Sequence, residues 1–355
     1  MQETMCESIW KEVMKNFINV FNFLSIFVLM IISVPAKASE DSKGLIVSFN
    51  GPVKEAYIGK YVRGLKGMAG LKGYEISIFE NQFNQAQQNQ QIQQYLALGE
   101  LPNAFIWFPT DDVSGLEALQ LLAETGVPVL KVNQLPNEFD KEYIIGFAGP
   151  DFTLRGRSAG YMMREAAASK KENGGFGFNV AVLSYPHDFT GYDLTINAFE
   201  DAIAGTDLKI ISDAEVGFGR LNGYEGTLEL IGAMGDQNID FVFGMDDSIL
   251  IGALKAFEDA GKIIGQDVIA IGAVCNGSRS LLDEGKQYGT TLQSPLHEGQ
   301  LAIKLIDEYL TQGALEKFIN YTPNPPISVE NIETSALQGY DGKLYSIREL
   351  CTGNW

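Results

Sequence analysis

Between Gly44 and Gln293 the sequence alternates short apolar runs with amphipathic stretches, and it does so twice. The first round reads as strand Gly44–Phe49, helix Glu55–Leu71, strand Tyr74–Glu80, helix Asn84–Leu98, strand Ala104–Pro109 and helix Val113–Thr125, then strands Val127–Val132 and Tyr143–Ala148. The strand segments are apolar along nearly their whole length, as expected when helices cover both faces of a sheet. Strand–helix alternation of this kind builds a doubly wound parallel sheet. The rhythm restarts with a helix over Asp151–Ser169, opened by Pro150-Asp151. Strands follow at Phe178–Ser184, Leu208–Val216, Asp240–Gly244, Val268–Gly272 and Tyr288–Gln293, with helices between them that include Ser248–Ala260 and Pro295–Thr311. The fold class is therefore α/β, and two successive five-strand units predict two similar lobes. Lys170–Gly177 reads as a loop inside the second. The Gln/Asn-rich stretch Asn81–Gln94 reads as a solvated helix face, because Phe83, Ala86, Ile92, Tyr95 and Leu96 give it an apolar stripe.

An export segment precedes the first strand. Phe17–Val34 is apolar apart from Asn19, Asn22, Ser25 and Ser33, and it ends in Ala36-Lys37-Ala38, a small-x-small cleavage signal. Residues 1–38 thus read as a signal peptide cleaved near Ala38/Ser39, and a periplasmic address follows. Glu3, Glu7 and Glu12 are out of place in a basic leading region, whereas Met14-Lys15-Asn16 suits one, so Met14 is the better start. Pro35 and the short run argue against a retained anchor.

The remainder, residues 39–355, suggests two domains of about 150 residues each. The lysines and glutamates of 1–38 cancel, leaving it the whole net charge of −19. Such a field excludes nucleic acid and anionic membranes as partners. Cys275 and Cys351 are the cysteines beyond the export segment. In an oxidising compartment they either form one bridge or stay as two thiols.

Catalytic motifs carry little weight. Gly156-Arg157-Ser158-Ala159-Gly160 matches the G-x-S-x-G elbow of serine hydrolases, with Asp246 or Asp247 and then His297 following in the order that fold uses. An elbow needs its serine directly after a strand, however, and Ser158 falls about two turns into a helix. A secreted hydrolase is thus a remote alternative. His187 and His297 are the only histidines, and no metal-ligand or phosphate-loop spacing occurs, so no metal or cofactor is expected.

What remains is polar and aromatic residues at the carboxyl ends of strands, where open α/β sheets bind ligands. The first unit offers Asn50, Glu55 and Tyr57, then Thr110-Asp111-Asp112, then Asn133-Gln134. The second offers Tyr185, His187 and Asp188, then Phe218 and Arg220, Asp246-Asp247, Asn276 and Gln293. Amides and carboxylates bond hydroxyls and aromatic faces cover CH groups, which suits a small polyhydroxylated ligand. Asp246, Asp247, Asp111 and Asp112 also fit as helix N-caps, and for Thr110–Asp112 that reading is preferred.

Three segments stand in a telling order: Phe105–Asp112 with Gly126-Val127-Pro128-Val129; Gly244-Met245-Asp246-Asp247 with Gly252–Ala256 and Ala260-Gly261; and Glu284-Gly285-Lys286 with Gln293-Ser294-Pro295 and Gly299. Together they resemble the periplasmic binding proteins of the ribose/galactose type, the type I sugar-binding subunits of ABC transporters, over about residues 44–330. The resemblance implies two doubly wound parallel-sheet lobes joined by a three-strand hinge that closes on a ligand. It implies chain crossings near Ala148, Gln293 and Tyr321, with residues 43–148 plus 294–322 as one lobe and 149–293 plus 323–355 as the other. Cys275 and Cys351 then share a lobe, which favours a bridge. It implies no enzyme and no cofactor. It implies a sugar-like ligand delivered to a transporter permease or, alternatively, reported to a membrane histidine kinase or chemoreceptor. The ligand set it implies is Tyr57 and Phe218 as aromatic platforms, Asn133 and Gln134 where sugar binders commonly carry Asp-Arg, Asp246 where Asn is frequent, and Gln293 at a crossing. Glu55, His187, Arg220 and Asn276 join it from the strand-end reading. Ala273–Ser278 departs from the family's Gly-Phe-Asp segment, and Asp193 stands near where a helix arginine is usual. The tail Ser335–Trp355 reads either as a partner surface or as packing on the second lobe.

Overall fold

The computed structural model describes residues 42–111 and 113–354; the export segment, its cleavage site and the Met14 start lie outside them. The first sheet holds β1 (Leu45–Asn50), β2 (Glu75–Glu80), β3 (Ala104–Trp107), β4 (Val129–Val132) and β5 (Gly146–Gly149), all parallel, in the order β2-β1-β3-β4-β5. Helices α1 (Ala56–Lys72), α2 (Gln85–Leu96) and α3 (Leu116–Glu124) connect them. β3 and β4 are buried at every residue, and separate apolar clusters fill the two faces of the sheet, one around Tyr61, Leu130 and Ile306, the other around Phe49, Trp107 and Leu119. This two-sided burial is why these strands lack apolar/polar alternation.

The second sheet follows α4 (Phe152–Glu172) and has the order β7 (Lys209–Glu215), β6 (Asn179–Ser184), β8 (Phe241–Gly244), β9 (Ile269–Ile271), again all parallel. Between its strands lie α5 (Tyr192–Ile203), α6 (Arg220–Met234) and α7 (Asp247–Asp259), and the short α8 (Arg279–Asp283) follows β9. The fold is thus α/β with two doubly wound parallel sheets. Where the sequence predicts a second five-strand unit, this sheet has four strands. The expected fifth strand Tyr288–Gln293 joins this sheet only at its start, where Gly289 bridges Ile271 of β9 in parallel; it then continues as β10 (Thr290–Thr291), which pairs antiparallel with β12 (Pro326–Ile327) outside the main sheet. The extra strand sits on the first sheet instead, where β11 (Ile319–Tyr321) pairs with β5. The predicted loop at Lys170 is also shorter than expected, since α4 runs on to Glu172.

Two crossings between the sheets are marked by helix starts. β5 leads into α4, whose N-cap Asp151 accepts the Leu154 amide, and β10 leads into α9 (Pro295–Gln312), whose N-cap Ser294 accepts the His297 amide. The third runs from β11 to β12. α9 packs on α1 so closely that a Cβ at Gly64 would come within 2.3 Å of the Leu296 carbonyl. Gly156 and Gly160 do the same for α4 against α5: a Cβ at Gly156 would meet the Thr195 carbonyl at 2.0 Å. The G-x-S-x-G match is therefore a helix-packing motif. Ser158 lies buried within α4, and His297 makes no hydrogen bond from either ring nitrogen.

After β12 the chain forms a hairpin, β13 (Ala336–Gln338) and β14 (Leu344–Ser346), and the short helix α10 (Ile347–Leu350) with its capping box at Ser346 and Glu349. This tail contacts both halves, and not the second alone. Gln300 of α9 bonds the Tyr340 amide and the Tyr345 hydroxyl, and Lys60 of α1 donates to the carbonyls of Glu349 and Cys351. On the other side Cys351 is bridged to Cys275 with Cα atoms 5.1 Å apart, and Thr352 and Asn354 donate to the Cys275 and Gly277 carbonyls. Because the bridge closes a long loop, replacing both cysteines with serine is expected to lower the unfolding free energy by about 2–4 kcal/mol in chemical denaturation. Peptide mapping of unreduced protein should recover the two peptides linked.

Candidate ligand-binding cleft

In each sheet the strand order reverses once, between β1 and β3 and between β6 and β8. The crevice outside the carboxyl ends of the strands at such a reversal is where α/β sheets bind ligands. Here the two crevices form one cleft of about 510 Å3, lined by Gly51, Thr110, Asn133 and Gln134 from the first half and Tyr185, Asp246, Val274 and Asn276 from the second.

A hydrogen-bonded chain runs along its floor. Tyr57, in the first turn of α1, donates its hydroxyl to Glu298 Oε2 at 2.6 Å. The Tyr57 hydroxyl oxygen in turn accepts from Gln293 Nε2 at 2.7 Å and from Asn133 Nδ2 at 3.2 Å. Asn133 adds a bond to Glu298 at 3.3 Å, with its backbone at φ 69°, a left-handed conformation that asparagine tolerates. Gln293 turns its carbonyl oxygen to the Arg155 guanidinium, which stacks over the Phe152 ring at 4.6 Å. Burial pushes the Glu298 carboxyl up to about 8, and burial with Glu298 alongside holds the Tyr57 phenol well above its ordinary value. Gln134 is fixed by the carbonyls of Pro109 and Thr110, 3.2 Å from each.

The second half supplies an aromatic wall. Phe218 stacks on Tyr185 with ring centres 4.7 Å apart, Phe189 meets both edge-on, and Phe152 extends the cluster. Phe218 remains 52% exposed toward the opening, as does Phe83 opposite at 54%. Asp246 caps α7 through the Ile249 amide at 2.8 Å and the Ser248 hydroxyl at 2.6 Å, while Asn276 accepts the Ser248 amide. Asp247 faces away and is buried against Gln287 and Thr290, its carboxyl pushed up to about 8 by desolvation.

Seven of the ten residues expected from sequence line the cleft: Tyr57, Asn133, Gln134, Phe218, Asp246, Asn276 and Gln293. The other three stand elsewhere. Glu55 is exposed at the N-cap of α1 and makes no side-chain cap bond. His187 stacks on Tyr192 and turns to Asp213 and Glu215 at the outer edge of the second sheet. Arg220 lies on the α6–α7 surface beside Tyr224, Lys255 and Asp259. Asn50 spends its amide on Ser48 and the Gly51 carbonyl. Thr110 reaches the cleft although its segment was expected to cap a helix; Asp111 caps the turn at Ser114, and the N-cap of α3 is Gly115. Sequence reasoning missed Arg155, Glu298, Phe83, Phe152 and Phe189. Arg155 and Glu298 each follow a crossing's N-cap, Asp151 or Ser294, by four residues, and that spacing was the available signal. Phe83 was counted with the α2 stripe, but it precedes the helix at φ 53° and its ring covers Gly51. Among the described residues no group of histidine, cysteine and carboxylate side chains is placed to hold a metal.

A two-sheet cleft floored by amides and walled by aromatic rings is the architecture of a solute-binding protein. The chain belongs to the periplasmic binding protein domain family, which it matches over residues 46–314. It is similar to the ribose import binding protein RbsB of Escherichia coli, 24% identical over 77% of this chain and 86% of that one. It is similar also to RbsB of Bacillus subtilis, 25% identical over 86% and 97%. Among solved structures, a periplasmic ribose ABC transporter protein from Conexibacter woesei superimposes with a TM-score of 0.69 at 19% identity, covering 83% of this chain and 94% of that one. A galactofuranose binding protein gives 0.69 at 20% identity over 81% and 95%.

The buried acids set a pH dependence. Glu298 and Asp247 hold protons up to about pH 8 in the folded chain but release them near the ordinary carboxylate value when unfolded. Their stabilisation is complete in acid and is lost as pH rises toward 8. His297, pushed down to about 4 by burial, acts oppositely, but only below about 6.5. Stability is therefore expected to fall between pH 6.5 and 8. Glu298→Gln should reduce that slope by up to about 1.4 kcal/mol per pH unit, read by denaturant titrations across the window.

Proposed function

We propose that this protein captures a small polyhydroxylated ligand of the sugar class between its two sheets and hands it to an ABC transporter in the membrane. The observation that carries the reading is the shared cleft at the carboxyl ends of both sheets, with hydroxyl-binding amides on one side and an aromatic wall on the other. Relatives named for ribose import, galactofuranose binding and fructose import support the sugar class, and the two import names favour delivery to a transporter over reporting to a sensor. Residues 43–148 plus 294–322 form one lobe and 149–293 plus 323–355 the other; they close about the crossings, bringing Phe218 over the ligand. The export segment over residues 1–38 supports a periplasmic address after cleavage near Ala38. No catalytic step is assigned.

The test is a thermal-shift and calorimetric screen of the purified protein against pentoses, hexoses in both ring forms, polyols and their acids. A ligand at about a hundred times its dissociation constant should stabilise by about 2.7 kcal/mol. Phe218→Ala and Gln293→Ala should each weaken binding by roughly 10- to 100-fold, about 1.4–2.8 kcal/mol. His187→Ala and Arg220→Ala should leave affinity unchanged. Loss of affinity in the second pair with none in the first would place the site elsewhere.

A further inference from the structure

An arginine rarely enters a protein interior without an anion beside it, because its charge keeps a large desolvation cost. Arg155 does so in the cleft. It is 1% exposed and, among the described residues, forms no ion pair. Its one hydrogen bond within the protein goes to the neutral amide oxygen of Gln293, and Nε has none. One face of the guanidinium rests on Phe152.

The two acids nearest the cleft do not neutralise it. Glu298 is held by Tyr57 and Asn133, and its burial keeps it mostly protonated at neutral pH. Asp246 directs its carboxylate at the Ile249 amide and the Ser248 hydroxyl, where the positive end of α7 already balances it. No lysine or second arginine lines the cleft. The site therefore offers one buried, uncompensated cation with unused donors, set among hydroxyl-binding amides.

Resting on the solute-binding reading above, we infer that the ligand is a polyhydroxylated monocarboxylate, a uronic or aldonic acid rather than a neutral sugar, with its carboxylate on the Arg155 guanidinium. The planar guanidinium fork matches a carboxylate with paired hydrogen bonds. A single cation suits a single negative charge; a doubly charged phosphate ester would leave one charge buried without a partner. The amides of Asn133, Gln134 and Asn276 take the hydroxyls, and Phe218 covers the ring or chain CH groups.

The experiment is calorimetry at pH 7 with matched pairs: D-galactose and D-galacturonate, D-glucose and D-glucuronate, D-ribose and D-ribonate. At least one acid should bind 10-fold or more tightly than its neutral partner. In Arg155→Met that acid should lose 100-fold or more while the neutral partner changes less than 3-fold, and Arg155→Lys should recover part of the loss. The melting temperature of ligand-free Arg155→Met should stay within a few degrees of the parent, since the variant removes an unbalanced charge but leaves the buried Gln293 oxygen without its donor. A fall of several degrees would make Arg155 a prop of the fold and overturn the inference. Neutral sugars binding as tightly as their acids would overturn it too while leaving the solute-binding reading intact; binding of neither member of any pair overturns both.

Discussion

The amide of Gln293 ties the two halves of this molecule together. Its oxygen is turned to Arg155 of α4, beneath the second sheet, and its nitrogen to Tyr57 of α1, beneath the first. Gln293 itself sits on the segment where the chain passes between sheets. An amide is well suited to this post because it can accept from a cation on one side and donate to a phenol on the other. Glutamate at the same position could not donate to Tyr57, and methionine could answer neither partner. Because the amide is 5% exposed, either loss would strand buried polar groups. The floor of the cleft is thus continuous from Arg155 to Asn133, and any ligand resting on it touches both halves at once.

Topology explains why this floor lies where it does. Every strand of both sheets is parallel to its neighbours, and the antiparallel β10–β12 and β13–β14 pairs lie outside them, so all the strand–helix turns that can carry polar residues open on one edge. The crossings place those two edges face to face. Helices that begin at a crossing add their first turns to the same space, which is how Arg155 and Glu298, four residues beyond Asp151 and Ser294, come to contribute. Close helix packing through Gly64 and Gly156 lets α9 and α4 start near the cleft, since a Cβ at either glycine would force those helices outward.

Most of the strands were legible because two-sided burial leaves an apolar run that few other structures produce. The strand expected at Tyr288–Gln293 is cut short for a physical reason: it pairs with β9 only around Gly289 and then turns to Pro326–Ile327, and no local pattern states which distant segment a two-residue ladder will find. At the site, the rule that strand ends carry the ligand located Tyr57, Asn133, Gln134, Asp246 and Gln293 along the chain. It does not give direction. Glu55 and Tyr57 are two residues apart at a helix start, yet one faces solvent and the other the cleft, as expected for positions about 200° apart on a helix. Arg220 and Phe218 also divide, but across Gly219, whose φ of 89° is not helical. The buried ionisable groups of Arg155 and Glu298 escaped notice because each lies within a helix whose other residues serve packing.

The loop Val274–Asn276 shows what the tail contributes. Val274 and Cys275 both have positive φ, 77° and 56°, a region that costs a β-branched residue in particular. Such a conformation persists only where its surroundings over-determine it. Here they do. The Cys275 amide donates to Thr290 Oγ1, its carbonyl accepts from Thr352, its sulfur is bridged to Cys351, and Asn354 pairs with Gly277 and Arg279 just beyond. The two residues flanking Cys275 both line the cleft. The same tail is bonded to Lys60 and Gln300 of the first half, so the loop is tied to both sides of the cleft. A loop left free would have to be ordered by the ligand at a cost in affinity. Fixed by the tail, Val274 and Asn276 present their side chains to the cleft before any ligand arrives.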